Sequence, residues 1–376
     1  MSAPAVRHPG EYRWEVRLLV VVAATLTVFG IANLYGAASV NASGFMMAMR
    51  QLAIGLAGGL LVLVLSRLDY RRLRPLAWPI LVATVVLLVI TVLPEGLTGS
   101  IAPERNGARR WINLPGLPEF QPSEVAKYAV VLWAAALAAK KGARVREFKK
   151  GVLPFLVVYG AVCLLIMRQP NLSMTVVVGL LGGVVLFAAG ARIGHFILLA
   201  FSAGLVAYQL IVTSEYRSRR LASFLGEGSA ESAMQMNESV VALGSGQIVG
   251  LGFGQGRAKL AHVPYAYSDF IFSSIGEEWG LIGVVVVVVL FGVFGWIGYR
   301  IAKTAPDLFG QLLATGLTTA ICLTAGLHMA VTLKLMPTTG LTLPFVSHGG
   351  SSLLMALAAT GVLASIGRMR GRPAKP

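Results

Sequence analysis

Charge is scarce in this chain, and acidic charge is scarcest. Of its 376 residues, 13% are Asp, Glu, Lys or Arg, against roughly 25% in a soluble domain. The 16 acidic residues face 32 basic ones, for a formal net charge of +16. Cysteine is almost missing. Cys163 and Cys322 both lie inside apolar runs, which excludes a disulfide framework and a cysteine metal site. The five histidines, His8, His195, His262, His328 and His348, show no HxxxH-type spacing, so no structural metal site is expected. There is no polar stretch long enough for a soluble domain, no low-complexity tract and no solenoid repeat. Nor is any basic tract interleaved with aromatics, so nucleic acid is not an expected partner.

Apolar sequence fills the rest. Hydrophobic residues make up 56% of the chain, and mean hydropathy is +0.74. A membrane-spanning helix needs ~20 apolar residues. Ten runs qualify: 17–36, 50–67, 75–93, 122–139, 151–168, 172–190, 194–213, 271–299, 308–334 and 351–367. The first is preceded by Arg13 and Arg17 like a signal peptide, but its length favours an uncleaved span. The expectation is an all-α polytopic membrane protein of about ten transmembrane helices, one integral membrane domain over residues 1–376. A large extracytoplasmic loop, 214–270, separates spans 7 and 8, and short tails at 1–16 and 368–376 face the cytoplasm. The 43 glycines suit closely packed transmembrane helices.

The basic residues set the orientation. With both termini inside, 20 of the 32 lysines and arginines fall on cytoplasmic segments, as the positive-inside rule requires; membrane lipids are therefore partners. Most of the others are grouped. Arg105, Arg109 and Arg110 precede span 4, Lys127 lies one turn inside it, and Arg217, Arg219, Arg220, Arg257 and Lys259 lie in the large loop. Positives retained against the topology bias point to an anionic ligand on the outer face.

Polar segments cluster on that same face. Asp269 opens span 8 in the run Ser268-Asp269-Phe270-Ile271-Phe272, with Glu277 and Glu278 following. A carboxylate at the mouth of a span serves either a reaction or a helix cap. Glu124 and Lys127, spaced i, i+3 after Gln121-Pro122-Ser123, share one face of span 4; they read as a polar site or as a capping ion pair. Arg109-Arg110-Trp111 is either a ligand contact or an interfacial anchor. Arg168-Gln169-Pro170-Asn171 joins spans 5 and 6 as a polar hairpin. Tyr216 to Leu225 alternates basic and apolar residues like a helix lying on the membrane surface. Between spans 9 and 10, Met336 to Ser352 is rich in Gly, Pro, Ser and Thr. It reads as a re-entrant, non-helical segment, in which Ser347, Gly349, Gly350 and Ser351 offer donors suited to phosphate oxygens. The glycines at 244–256 lack the βαβ context of a dinucleotide loop.

Asn106-Gly107-Ala108-Arg109-Arg110-Trp111, Gln121-Pro122-Ser123-Glu124, Gln169-Pro170, Ser268-Asp269-Phe270-Ile271-Phe272 with Glu277-Glu278, and Pro344-Phe345-Val346-Ser347 with Gly349-Gly350-Ser351-Ser352 occur in an order and spacing that resembles the SEDS family, typified by RodA and FtsW. The resemblance covers nearly the whole chain. It implies a bacterial cytoplasmic-membrane enzyme that polymerises lipid II into peptidoglycan glycan strands, with inversion at the donor sugar, for elongation or division. It implies a class B penicillin-binding protein as partner and places the family's essential loop aspartate at Asp269. Val263 to Ser268 departs from the family's usual Leu-Pro-Glu and His-Thr pattern, and His348 stands where many members carry tyrosine. From the chemistry, Asp269 and Glu124 are the catalytic carboxylates. Arg109, Arg110, Trp111, Lys127, Arg217, Arg219, Arg220, Lys259, Ser347, Gly349, Gly350 and Ser351 are the substrate-binding candidates. The sequence names no cofactor with certainty; a divalent cation, Mg or Mn, would aid the leaving group, and with no dedicated ligand set present metal dependence stays open. The alternative reading is a lipid II flippase, which would need charges along a path through both leaflets.

Overall fold

The computed structural model describes residues 13–38, 42–98, 101–104, 107–113, 119–213, 218, 222, 224, 230–256 and 268–370. Ten long helices match the ten apolar runs. They are α1 (Arg13–Ala38), α2 (Ala42–Arg67), α3 (Leu73–Val92), α4 (Pro122–Lys141), α5 (Leu153–Arg168), α6 (Leu172–Ala188), α7 (Ile193–Val212), α9 (Ile271–Lys303), α10 (Leu308–Thr332) and α11 (Gly350–Arg368). Between α7 and α9, within the large loop, lies α8 (Ala230–Ser245). The helix expected around 216–225 and the loop's expected start at 214 fall largely outside the described residues, while its expected end at 270 directly precedes α9.

Seven of the helices are both long and apolar enough to span a bilayer. The helix at the centre, α4, is the one that hydropathy alone undervalues, because Glu124, Lys127, Lys140 and Lys141 dilute it. It is nevertheless buried along almost its whole length, packed against α3, α6 and α10. Trp133 on its inner turn is fully buried, with the rings of Trp78, Phe155 and Tyr159 centred 5.5, 5.5 and 6.1 Å away. Lipid tails are as apolar as leucine, so such close packing, rather than the hydrophobic effect, holds transmembrane helices together. The helices on the rim keep their leucines and valines exposed to lipid, as at Leu56, Val157 and Ile197.

Two irregularities shape the outer face. The first is a break in α9 at Gly280, whose φ of 64° and ψ of −161° are not helical. The backbone groups freed there pair with the segment following α8. Leu251 and Gly252 donate to the carbonyls of Glu277 and Glu278 at 2.9 and 3.1 Å, while Leu281 donates to Gln247 O at 2.9 Å. A Cβ at position 280 would meet Gly250 N and Ile248 O at 2.5 Å, so glycine is required for fit as well as for φ.

The second is the α10–α11 connection, residues 333–349, which turns back into the bundle without forming a helix. Leu341, Leu343, Pro344, Phe345, Val346 and Ser347 are all buried. Phe345 adopts φ 66°, a strained conformation for a bulky residue, and is held by Phe294 and Phe291 with ring centres 5.6 and 6.4 Å away. Gly30 of α1 lies against its backbone; a Cβ there would meet Val346 Cα and O at 2.6 Å. Irregular backbone survives at depth because protein, not lipid, surrounds it.

The opposite end is closed by ion pairs. Glu15 is fully buried between Arg300 and Arg370, and Arg300 lies over the Trp14 and Trp296 rings. Asp307 caps α10 through Gly310 N at 2.8 Å and accepts from Tyr70 Oη at 2.5 Å and Arg71 Nε at 3.0 Å.

Candidate active site

The re-entrant segment gathers the polar motifs around itself. Ser347 is its centre. Its hydroxyl donates to the carbonyl of Ser268 at 2.8 Å and accepts from Leu343 N at 2.8 Å. Its own carbonyl accepts from Gln51 Nε2 of α2 at 3.0 Å. The residue next to Asp269 is thus fastened to the re-entrant segment, and Asp269 faces it: a side chain at position 340 would approach the Asp269 carboxylate to 3.6 Å. Gly340 has φ 66°, so glycine supplies both the turn and the room. From below, His328 of α10 holds the segment through its Nδ1, 2.7 Å from Leu341 O.

Four residues after Ser347, Ser351 begins α11 and ties it to the start of α4. Its hydroxyl accepts from Gln121 N at 3.0 Å and lies 3.4 Å from Glu119 O. Thr342 and Ser352 close the same loop at 2.9 Å. One turn into α4, Glu124 and Lys127 form an ion pair at 3.0 Å, both side chains almost wholly buried, with Lys127 Nζ 5.1 Å from the centre of the Tyr128 ring. The pairing expected from the i, i+3 spacing is present. The Lys127 ammonium is committed to Glu124 rather than presented to the surface.

Arg109 and Arg110 brace the loop ahead of α4. Arg110 donates to the carbonyls of Gln169 and Pro170 at 2.9 and 2.7 Å, so the α5–α6 hairpin and the basic loop are one unit. Gln169 in turn donates to Thr91 at 2.6 Å. Arg109 donates to Leu93 O at 3.0 Å and lies 3.8 Å from Glu104. Trp111 is half-buried beside them. Gly349 and Gly350, also half-buried, lead into α11. Arg217, Arg219, Arg220 and Lys259 lie outside the described residues.

Sequence reasoning missed two contributors. Gln51, fully buried, is invisible inside an apolar run, because its role depends on a segment 296 residues away. Arg50 sits beside His348, and burial first, then the Arg50 charge, holds the His348 imidazole below its ordinary pKa. Arg50 was legible as another basic residue on the disfavoured face. Among the described residues Gln51 Oε1, Gln169 Oε1 and His348 Nδ1 are buried with no hydrogen-bond partner, a capacity open to a polar partner. Among the described residues no three His, Cys, Asp or Glu side chains converge on one point.

The profile of the family described as "Cell cycle protein", the FtsW, RodA and SpoVE group, matches residues 14–371. The chain belongs to this family. Among FtsW-type relatives, "Probable peptidoglycan glycosyltransferase FtsW" of Geobacter sulfurreducens is 38% identical over 364 residues, covering 95% of this chain and 96% of the relative. "Stage V sporulation protein E" of Bacillus subtilis is 36% identical, covering 93% and 96%. In three dimensions the chain resembles the crystal structure of Thermus thermophilus RodA, with TM-score 0.69 and 29% identity over 94% of this chain and 97% of that one. It resembles still more a component of a peptidoglycan synthase complex described for "structural coordination of polymerization and crosslinking", with TM-score 0.78 and 28% identity over 94% and 98%. The SEDS resemblance, the all-α polytopic fold and the glycosyltransferase class expected from the motifs all hold: this is a multi-pass membrane enzyme of a peptidoglycan glycosyltransferase family.

Proposed function

We propose that the chain polymerises lipid II at the outer face of the bacterial cytoplasmic membrane, with both termini inside, and that Asp269 is its general base. The observation that carries the assignment is the fastening of Ser268-Asp269 to the buried re-entrant segment through Ser347. A reaction-bearing carboxylate must be held in place by its neighbours' hydrogen bonds, whereas a helix cap needs only its own helix. The residue at the N-cap of α9 is Phe270, whose side chain makes no cap bond.

In the proposed reaction, the oxygen of the acceptor sugar's 4-hydroxyl attacks the anomeric carbon of the lipid-linked donor. The bond from that carbon to the pyrophosphate oxygen breaks, the hydroxyl proton passes to Asp269, and the lipid pyrophosphate leaves as an anion. One displacement inverts the donor centre and needs no covalent sugar intermediate. Arg109, Arg110, Arg217, Arg219, Arg220 and Lys259 offset the leaving group's charge. Glu124 and Lys127 hold the α4 side of the site, Ser347 and Ser351 fasten its loops through their hydroxyls, and the Gly349 and Gly350 amides offer it donors. No step is assigned to a cation.

A class B penicillin-binding protein is the proposed partner, docking its transmembrane helix on the lipid face of α9 and α10. On α9, Leu281, Ile282, Val285 and Val289 are about half exposed. The relative found in a synthase complex supports a partner of this class.

The deciding experiment is a reconstitution with labelled lipid II, with and without the partner, resolving glycan strands by length. Asp269→Asn keeps the shape and is expected to lower polymerisation by ~10²–10⁴ while lipid II binding stays close to wild type. Near-normal strand synthesis by this variant would remove Asp269 as base and leave Glu124 in its place. Movement of lipid II across vesicles without any strand formation would favour the flippase instead.

A further inference from the structure

The linker between α4 and α5 encloses a recess that the reaction above does not use. Gly142–Arg146 forms a 3-10 turn and Phe148–Val152 a π turn. The two turns close on one another at Gly151, where a Cβ would meet Arg144 O at 2.3 Å. The Lys141 ammonium donates to the carbonyl of Lys150, folding the ends of the linker together. The result is a cavity of about 530 Å³ lined by Leu137, Lys140, Lys141, Arg144, Lys150 and Pro154.

Four of those six residues are cations. Among the described residues none of the four forms an ion pair, and Glu147 is the lone carboxylate between residues 140 and 150. The positive-inside rule explains why basic residues lie on this segment. It does not explain why four of them converge on one concavity, where their mutual repulsion must be offset. Leu137 and Pro154, at the adjoining ends of α4 and α5, give the recess an apolar edge. It lies at the far membrane face from the catalytic carboxylates, since the 20 residues of α4 extend ~30 Å at 1.5 Å per residue. Basic pockets between transmembrane helices on the cytoplasmic side suit phosphate headgroups.

We infer that this recess binds an anionic phospholipid of the cytoplasmic leaflet. The headgroup phosphate lies among Lys140, Lys141, Arg144 and Lys150, and the acyl chains leave past Leu137 and Pro154. The inference rests on the orientation proposed above and is independent of the assignment of Asp269.

The test uses full-length protein in neutral detergent, titrated with phosphatidylglycerol, phosphatidylcholine or inorganic phosphate, with bound ligand counted by native mass spectrometry. Phosphatidylglycerol should be retained, while phosphatidylcholine and phosphate at equal concentration should not. Arg144→Gln with Lys150→Gln should weaken retention roughly tenfold or more, the effect of losing two charges near one phosphate. The control pair Arg146→Gln with Lys149→Gln removes equal charge outside the recess and should stay within about threefold of wild type. If the double variant does not purify, Lys150→Gln alone, at an exposed position, should weaken retention about fivefold, the effect of one lost charge near the phosphate, while Lys149→Gln leaves it unchanged. Equal loss in both pairs would mean diffuse surface charge and overturn the site. Retention of phosphatidylcholine as strong as phosphatidylglycerol would do the same. Displacement of the lipid by inorganic phosphate at matching affinity would make it a site for a soluble anion.

Discussion

The Glu124–Lys127 pair can be taken apart in a way that separates folding from chemistry. Both side chains are at least 95% buried and their charged atoms are 3.0 Å apart. Deleting one partner of such a pair leaves a charge with no water and no counterion, which costs about 3–5 kcal/mol. Lys127→Met is therefore expected to lower the unfolding free energy by that amount, measured by SDS titration in mixed micelles. Glu124→Gln should lower it less, because the amide can still accept from the ammonium. Lys127→Met combined with Glu124→Leu removes both charges and should recover most of the loss, giving a coupling energy of about 2 kcal/mol or more. Polymerisation is the second readout. The double variant should fold yet fail to elongate lipid II, the outcome expected if the pair belongs to the proposed site as well as to the fold. Single variants costing under about 1 kcal/mol would refute the buried-pair reasoning, and strand synthesis at wild-type rate by the double variant would refute the functional one.

Other expectations follow from the same geometry. Gly30→Val should displace the re-entrant segment, since its first added carbon would lie 2.6 Å from the Val346 backbone; a loss of about 1–3 kcal/mol together with loss of polymerisation is expected in the same two assays. Ser347→Ala removes the hydrogen bond to Ser268 and should cost about 1 kcal/mol of stability but a disproportionate share of the turnover number, with lipid II affinity nearly unchanged; equal scaling of both would demote it to packing. At the other membrane face, burial alone would raise the Asp307 pKa, but hydrogen bonds from Tyr70, Gly310 and Arg71 outweigh it and hold the carboxyl below its ordinary value of 3.8. Its contribution is thus fully present above that value and is lost as pH falls through the lower folded pKa. Asp307→Asn should reduce stability at neutral pH and flatten the decline below pH ~4, seen in thermal unfolding profiles at pH 3 to 6.

The spans were legible because ~20-residue apolar runs have few alternatives. The run at 308–334 became Leu308–Thr332, and that at 351–367 became Gly350–Arg368. The misjudged ends have physical causes. Helix α2 begins at Ala42 rather than residue 50, through Phe45 and Met46, which face outward, and α1 begins at Arg13 with the cation-lined Glu15 inside the helix. Helix α8 has polar faces and no apolar period a membrane scan would notice. In the candidate site, the motifs named stretches that the fold brings near one another, because Asp269, Glu124 and the Gly-Ser segment combine residue types that lipid does not tolerate. What the sequence could not disclose was pairing across long separations: Arg110 with Gln169, Ser347 with Ser268, and Gln51 with Ser347. Gly280 gave no sign either, as one glycine among 43.

That glycine has a mechanical consequence. An unbroken 33-residue helix would act as a rigid rod, carrying any tilt or rotation from the cytoplasmic face straight to the residue at its tip. With its hydrogen-bond ladder interrupted at Gly280 and cross-braced there to residues 247–252, α9 is two pieces in series. Its outer piece, Ile271 to Trp279, travels with the cap of the enzyme, and Asp269 with it. Its inner piece is free to follow the bilayer and whatever helix lies beside it. The proposed base is in this way insulated from the thickness fluctuations of the membrane, while a neighbour that grips both pieces at once, across the exposed Trp279 and Leu281, would have direct leverage over where Asp269 points.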